Sequence, residues 1–330
     1  MSTTVGIERA ASDEAPVPRR RRRRRWMSWT AAVVVGVWAV ERLFGWERGS
    51  FDTQLMTVTP YGAVLAALTA IVALLRRNRW AALVAALASV TMAAVVAPRT
   101  VAAEQPPAKG APLRVLSVNL FGRADAAAVV ALVRRYDIDV FSALELTHAE
   151  ADRLDAAGLR ELLPYRVLQP EADVTGSGIY AKHPVAELKD LFTPIGHNMP
   201  AATVTLPGGS SVEFVAVHPN PPLGRKEREW TASLRALPGP SPSAIRVLAG
   251  DFNASLDHRA FRELLDRGYV DAADQLGQGL TPTWPNFRPM PPIISIDHVV
   301  ADRRVAVRDV EVVDVPGTDH RGVFAELRLP

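Results

Sequence analysis

Three apolar runs in the first hundred residues constrain this chain more than anything else in it. Thr30–Val40 follows Trp26-Met27-Ser28-Trp29, and Leu55–Leu75 and Trp80–Ala97 come after it, separated only by short polar loops. Each approaches the length that crosses a hydrocarbon core of roughly 30 Å at about 1.5 Å per residue. The first run is the weakest, because Glu41 and Arg42 fall near its end. An interfacial position for that pair, with Trp46 beside it, accommodates them. One such run could be a buried core helix, but three in succession argue for a three-helix membrane segment over residues 26–97. A cleaved signal peptide does not account for the second and third runs.

The flanking charges give these spans a direction. Seven arginines, Arg19–Arg25, precede the first run and close a basic tail over residues 1–25; Arg76-Arg77-Asn78-Arg79 lies between the second and third runs. Both sets belong on the cytoplasmic side. Three spans that start inside finish outside, so a multi-pass plasma-membrane protein is expected, with a cytoplasmic N-terminus and an extracytoplasmic C-terminal domain. Residues 98–112, PRTVAAEQPPAKGAP, are rich in Pro and Ala without periodicity and are expected to form a linker.

Composition divides the chain at the same place. Residues 1–112 carry 15 Lys and Arg against 7 Asp and Glu, a net +8, whereas residues 113–330 carry 23 against 28, a net −5. The chain's basic balance therefore resides in its N-terminal part and does not mark the whole protein as a nucleic-acid binder. The absence of cysteine excludes disulfides, thiolate catalysis and cysteine-based zinc sites.

From Leu113 onward, short β-like runs alternate with helical ones. Strands are expected at Leu113–Leu120, Ile138–Leu144, Gly178–Lys182, Val185–Phe192, Ala201–Leu206, Val212–Val217, Ile245–Ala249, Ser295–Ala301, Val305–Val313 and Val323–Leu327. Helices are expected at Ala124–Tyr136, Glu150–Leu163, Gly224–Leu237 and His258–Arg267. Many strands with few helices imply an α+β domain of two packed sheets. Polar residues fall at the strand ends: Asn119 in SVN, Glu145 in ALE, His218 and Asn220 in VHPN, Asp251 and Asn253 in GDFN, Asp297 in IDHV, Asp319 and His320 in TDHR. Such ends converge when the strands share a sheet. Carboxylates, amides and imidazoles together can supply hard oxygen ligands for a cation, donors for phosphate oxygens and a base for water.

These six motifs, in this order, resemble the endonuclease/exonuclease/phosphatase family, which includes deoxyribonuclease I, abasic-site endonucleases, inositol polyphosphate phosphatases and bacterial sphingomyelinases. The resemblance covers residues 113–330 and implies a four-layer α/β/β/α sandwich of the deoxyribonuclease I type as the catalytic domain. It departs from the family pattern at Leu144, where the residue before the glutamate is usually Gln.

By resemblance, Glu145, with Asn119 and Asp319, holds Mg²⁺ (Mn²⁺ is an alternative). Asp251 orients or deprotonates the attacking water, and Asn253 donates to a phosphate oxygen, with Asn220 a further phosphate contact. His320 is the catalytic imidazole, held by Asp297, and His218 lies on the leaving-group side as a general acid. His298 should point to the opposite strand face in a structural role. His183 and His197 suit ordinary loop or edge positions, Trp284 a pocket wall, and Arg225, Lys226 and Arg228 a solvated helix face.

The function implied is metal-dependent hydrolysis of a phosphodiester or phosphomonoester outside the cytoplasm. The acidic domain and the membrane tether favour a lipid or small phosphoester over a nucleic acid, whose binding is dominated by phosphate neutralisation. An extracytoplasmic nuclease is the alternative, and an inactive binding module is the alternative of another class. The expected partners are the bilayer and the substrate, with no obligate protein partner.

Overall fold

The computed structural model describes residues 19–287 and 289–330. Most of the basic tail thus lies outside the described residues, but Arg19–Arg25 are already helical and continue into the first apolar run. Helix α1 spans Arg19–Phe44, α2 Gly49–Thr57, α3 Thr59–Leu75 and α4 Arg79–Val96. Among the described residues two helical stretches, Arg25–Phe44 and Arg79–Thr100, are long and apolar enough to cross a membrane, and the bent pair of α2 and α3 makes a third if it counts as one span.

The second apolar run is not one straight helix. It breaks at Val58, where α2 and α3 meet at 82°. Pro60 sits in the first turn of α3 and has no N–H to continue the α2 ladder, and Thr59 Oγ1 donates instead to Met56 O at 2.8 Å. α1, α3 and α4 pack through small residues, with Ala32, Ala39, Ala66, Ala73, Ala81, Ala85 and Ala88 buried around Trp38 and Met92. Gly62 belongs to this packing, since a Cβ there would come within 2.7 Å of the Trp38 ring.

Residues 97–111 do not hang free. Ala97–Thr100 form a 3-10 turn, Ala102 bridges to Leu276, and Ala103 N and Gly110 N donate to Gln275 O and Leu329 O.

Beyond them the chain builds β1 (Pro112–Asn119), α5 (Ala126–Arg135), β2 (Val140–Leu144), α6 (His148–Ala156), α7 (Leu159–Leu162), β3 (Tyr165–Gln169), β4 (Ser177–Ala181) and β5 (Val185–Glu187). There follow β6 (Ala201–Thr205), β7 (Ser211–Val217), α8 (Glu227–Ala236), β8 (Ile245–Asp251), α9 (Arg259–Asp266), β9 (Tyr269–Asp271), α10 (Ala272–Gln275), β10 (Asp297–Asp302), β11 (Ala306–Asp314) and β12 (Arg321–Arg328). The first sheet has the order β11-β12-β1-β2-β4-β3 and the second β5-β6-β7-β8-β10-β9.

Three apolar cores separate the layers. One lies between the sheets, around Val115, Val140, Phe214, Val247 and Val323. Another joins the first sheet to α5–α7 through Phe141, Val129 and Leu154, and the third joins the second sheet to α8 and α9 through Trp230, Phe252 and Phe261. Two sheets with helices on both outer faces make the expected α/β/β/α sandwich.

Several boundaries differ from expectation for local reasons. The helix expected over Glu150–Leu163 divides at Gly158, which adopts φ +96°. The strand expected over Val185–Phe192 ends at Glu187. β3, a half-buried edge strand, and the three-residue β9 carry too little apolar pattern to show in the sequence.

Candidate active site

The site forms where two parallel strand pairs end. β1 runs parallel to β2 in the first sheet, and β7 parallel to β8 in the second, so Asn119, Glu145, His218 and Asp251 leave four strands at one edge of the sandwich. β10 and β12 run antiparallel to their neighbours and start where those strands finish. This sets Asp297 opposite Asp251 and puts His320 immediately before β12.

Hydrogen bonds fix the side chains. Asn119 Nδ2 donates to Glu145 Oε1 at 3.0 Å and to Asp251 Oδ2 at 3.2 Å, joining the two sheets. His320 Nδ1 faces Asp297 Oδ2 at 2.9 Å and Oδ1 at 3.1 Å, which turns Nε2 toward Asp251 Oδ2 at 3.7 Å. His218 Nε2 lies 3.9 Å from Glu145 Oε1 and 3.8 Å from Asp251 Oδ2. The loop backbones are held by short polar side chains. Asp251 Oδ1 accepts from Asn253 N at 2.8 Å, Thr318 Oγ1 donates to Asn119 O at 2.7 Å, and Thr283 Oγ1 accepts from Asp297 N at 3.2 Å. Glu145 and Asn253 both adopt left-handed backbone, at φ +52° and +49°. Asn tolerates that region, whereas a glutamate there is strained, and strain of this kind concentrates at functional sites.

The charges do not balance locally. Burial raises the Glu145 carboxyl above its ordinary value, partly opposed by the Asn119 hydrogen bond and the His320 charge. Burial, with the Asp297 charge, pushes Asp251 up to about 7. Burial disfavours the His320 cation, but Asp297, Asp251 and Asp319 overcome it and raise the imidazole to about 10. Burial, with the charges of His197 and His320, drives His218 well below the ordinary histidine range.

Within this cluster, Glu145 Oε2 and Asp319 Oδ1 are buried without a hydrogen-bond partner among the described residues, as are a few acid oxygens elsewhere, an arrangement that costs stability unless something else fills it. A divalent cation fits: the donors are hard oxygens, and the orphaned atoms belong to two residues expected as its ligands. Asp251, Asp297 and His320 also offer atoms within 4.8 Å of one another. Because His320 Nδ1 is already taken up by Asp297, this trio suits proton and phosphate chemistry better than ligation.

Of the expected site residues, Asn119, Glu145, Asp251, Asp297, His320 and His218 come together. Asp319 lies beside them, its Oδ2 accepting from Trp284 Nε1 at 3.2 Å; Trp284 is a wall of the site, its ring centroid 6.4 Å from that of His320. Asn253 donates to Pro219 O at 3.1 Å, binding its loop to the one after β7. Asn220 is not brought into the cluster: its amide bonds Lys226 at 3.2 Å and Glu229 at 3.4 Å, on the α8 side. His298 faces away, bonded to Asp271 and to Ala254 O at 2.8 Å each.

His197 is buried rather than an ordinary loop residue. Its Nδ1 lies 3.2 Å from His218 Nδ1, so it buttresses that ring from behind. A loop histidine between Gly196 and Asn198 gives no sequence signal for this contact.

A two-sheet sandwich with a buried acid–amide–imidazole cluster at the strand ends defines a class, and the comparisons agree with it. The family model described as Endonuclease/Exonuclease/phosphatase family matches residues 116–320, and the chain belongs to that family. Its members hydrolyse phosphoester bonds. No curated protein sequence matches the chain.

Solved structures share the fold at low identity. An endonuclease/exonuclease/phosphatase from Beutenbergia cavernae is 20% identical with a TM-score of 0.51, covering 66% of this chain and 72% of that one. A family protein from Bacteroides thetaiotaomicron is 16% identical with a TM-score of 0.50, covering 67% and 99%. Humanized D. rerio TDP2 is 18% identical with a TM-score of 0.50, covering 66% and 99%.

Proposed function

We propose that this chain is a membrane-anchored, divalent-metal-dependent phosphoesterase whose catalytic domain works outside the cytoplasm. The observation that carries the chemistry is the pair of orphaned buried oxygens, Glu145 Oε2 and Asp319 Oδ1, beside an imidazolium held by Asp297. Glu145 and Asp319, with the Asn119 amide, would hold Mg²⁺ or Mn²⁺. The cation, when bound, polarises a phosphoryl oxygen and neutralises developing charge.

The chain's own groups do the rest. Asp251, whose proton is lost near neutrality, accepts the proton of the attacking water. His320 donates from Nε2 to a phosphoryl oxygen, and Asn253 offers its second amide N–H to another. His218, with Nε2 facing Glu145 and Asp251, stands on the leaving-group side as the general acid.

The membrane reading rests on the inside-out character of the helical segment. Its interior is alanine-rich, while Leu65, Leu68, Ile71, Leu74, Leu87 and Val90 are at least half exposed. Small residues at the helix contacts and bulky apolar ones outside suit lipid and not water.

The activity is tested by incubating the purified full chain with Mg²⁺ and an aryl phosphodiester, an aryl phosphomonoester, phospholipids, DNA and RNA. Hydrolysis of at least one is expected, and none under any divalent cation would reject the enzyme. A reporter active only outside the cytoplasm should give signal when fused after Pro330 and none between Arg77 and Arg79; the reverse pattern overturns the topology.

A further inference from the structure

Two loops that bracket the acid cluster are fastened to the elbow between α2 and α3. The first follows β7 and His218. Ser50 Oγ of α2 donates to Pro222 O at 2.9 Å and accepts from Gly224 N at 3.0 Å, which holds Leu223 against the helix. The second lies between Trp284 and β10. Tyr61 OH, in the first turn of α3, donates to Ile293 O at 2.8 Å. Ile293 N donates in turn to Trp284 O at 2.9 Å, and Trp284 touches Asp319. The elbow is therefore two residues away from an acid of the site on one side. On the other, Leu223 is five residues past His218, a reach of at most about 18 Å.

The elbow also has a direction. With α3 crossing a bilayer near its normal, the 82° bend lays α2 along the membrane surface. Phe51 of α2 points out at 77% exposure, and Phe44 stacks on Trp46 at 4.8 Å just past the end of α1, an aromatic pair suited to the interface. The two fastened loops expose large apolar side chains: Leu223 at 54%, Phe287 at 47%, Met290 at 46% and Ile293 at 41%. A single exposed apolar residue needs no explanation, but four on the two loops that frame one site do.

We propose that the mouth of the active site opens at the outer surface of the bilayer, with Leu223 on one side and Phe287, Met290 and Ile293 on the other dipping into it. The phosphoester taken is then the head group of a lipid in that leaflet, whose tails remain in the membrane. This rests on the membrane-anchored phosphoesterase reading above. It is continuous with the helical segment's own lipid-facing surface, and the net −5 of residues 113–330 gives a nucleic-acid backbone little to hold.

The absence of cysteine makes the surface testable. Leu223→Cys and Met290→Cys, each carrying a fluorophore in the full chain reconstituted into vesicles, should be quenched by spin-labelled phospholipids. Ser243→Cys, before β8 at the opposite end of the sandwich, should not be. No quenching at residues 223 and 290, or equal quenching at all three, overturns the proposal.

In the same vesicles with Mg²⁺, dioleoyl phosphatidic acid and dioleoyl phosphatidylglycerol are compared with their soluble dibutanoyl forms and with an aryl phosphodiester. At least one dioleoyl lipid should be cleaved faster than its soluble counterpart. Leu223→Asp with Ile293→Asp should lower that rate on the order of tenfold or more and leave the aryl diester unchanged. Soluble forms cleaved as fast as bilayer forms, or the aryl diester cleaved with neither lipid touched, overturn the lipid assignment. No cleavage of anything, with quenching intact, counts instead against the phosphoesterase reading and leaves the bilayer surface standing.

Discussion

Asp251 and Asp257 lie six residues apart in one stretch of chain, both buried, and are treated by the fold in opposite ways. Asp257 is satisfied. Arg99, just past α4, grips it with two hydrogen bonds at 2.8 and 2.7 Å, and Arg42 of α1 adds a third. Burial opposes its ionisation, but the two guanidinium groups overcome this and hold its carboxyl below the usual range. Next to it His258, brought down to about 4 by burial, bonds Thr53 O of α2 at 2.8 Å. Asp251 has no cation paired so closely and sits among other acids, and its carboxyl is raised to about 7. One end of the stretch is a finished clamp between the helical segment and the sandwich. The other is left short of positive charge, as the proposed binding of a cation and a phosphate requires.

The largest expected effect comes from breaking the clamp. Asp257→Ala strands two buried guanidinium groups and should destabilise the protein by about 3–5 kcal/mol, seen as a lowered unfolding temperature. A loss within experimental error would mean that Arg42 and Arg99 find other partners. The turnover of an aryl diester by the surviving folded fraction should change little.

Breaking the other end should do the reverse. His320→Ala should lower kcat on the order of 10²–10³ with a small change in KM, because its contact strengthens in the transition state. Asp297→Asn should cost less and add little in the His320→Ala background, and full additivity would show that the two act separately. With His320 titrating near 10, the alkaline limb of the activity profile should fall near that pH, and Asp297→Asn should move this limb downward. A limb that does not move removes Asp297 as the origin of the raised value.

A smaller effect sharpens the contrast. A carboxyl raised to about 7 in the folded state, against about 3.9 unfolded, contributes stability that is present below about pH 4 and lost as pH rises through 7. The stability of metal-free Asp251→Asn relative to wild type should therefore increase between about pH 4 and 7 and then level off. For Asp257→Asn the sign is opposite. A depressed carboxyl contributes above the unfolded value, so the deficit of the variant should shrink as pH falls below about 4. Parallel curves for the two variants would erase the distinction.

What could be learned from the sequence follows the same division. Asn119, Glu145, Asp251, Asp297 and His320 were visible because each ends or begins an apolar strand, and strand register alone gathers such ends at one edge. The two-sheet fold was visible for the same reason, in its alternating apolar runs. The elbow at Val58 was masked by an unbroken apolar run, although Pro60 carries the signal of a helix start.

The clamp was not legible. Asp257 meets Arg99 across 158 residues and Arg42 across 215, and nothing local marks a buried charge whose partners are so distant. The backing of His218 by His197 is hidden in the same way. Asn220 follows the strand end at the right spacing, but that its amide rests on Lys226 and Glu229 beside α8 carries no local signal.

The central claim is that the acid cluster is left incomplete for a divalent cation, and binding tests it without any choice of substrate. The unfolding temperature of the full chain should rise as Mg²⁺ is added at pH 8, by the equivalent of about 2.7 kcal/mol at a hundredfold excess over Kd, and EDTA should reverse it. Glu145→Gln should weaken this rise sharply, and Asp257→Asn should leave it intact from a lower starting point. No rise with Mg²⁺ or Mn²⁺, or the same rise in Glu145→Gln as in wild type, would contradict the account.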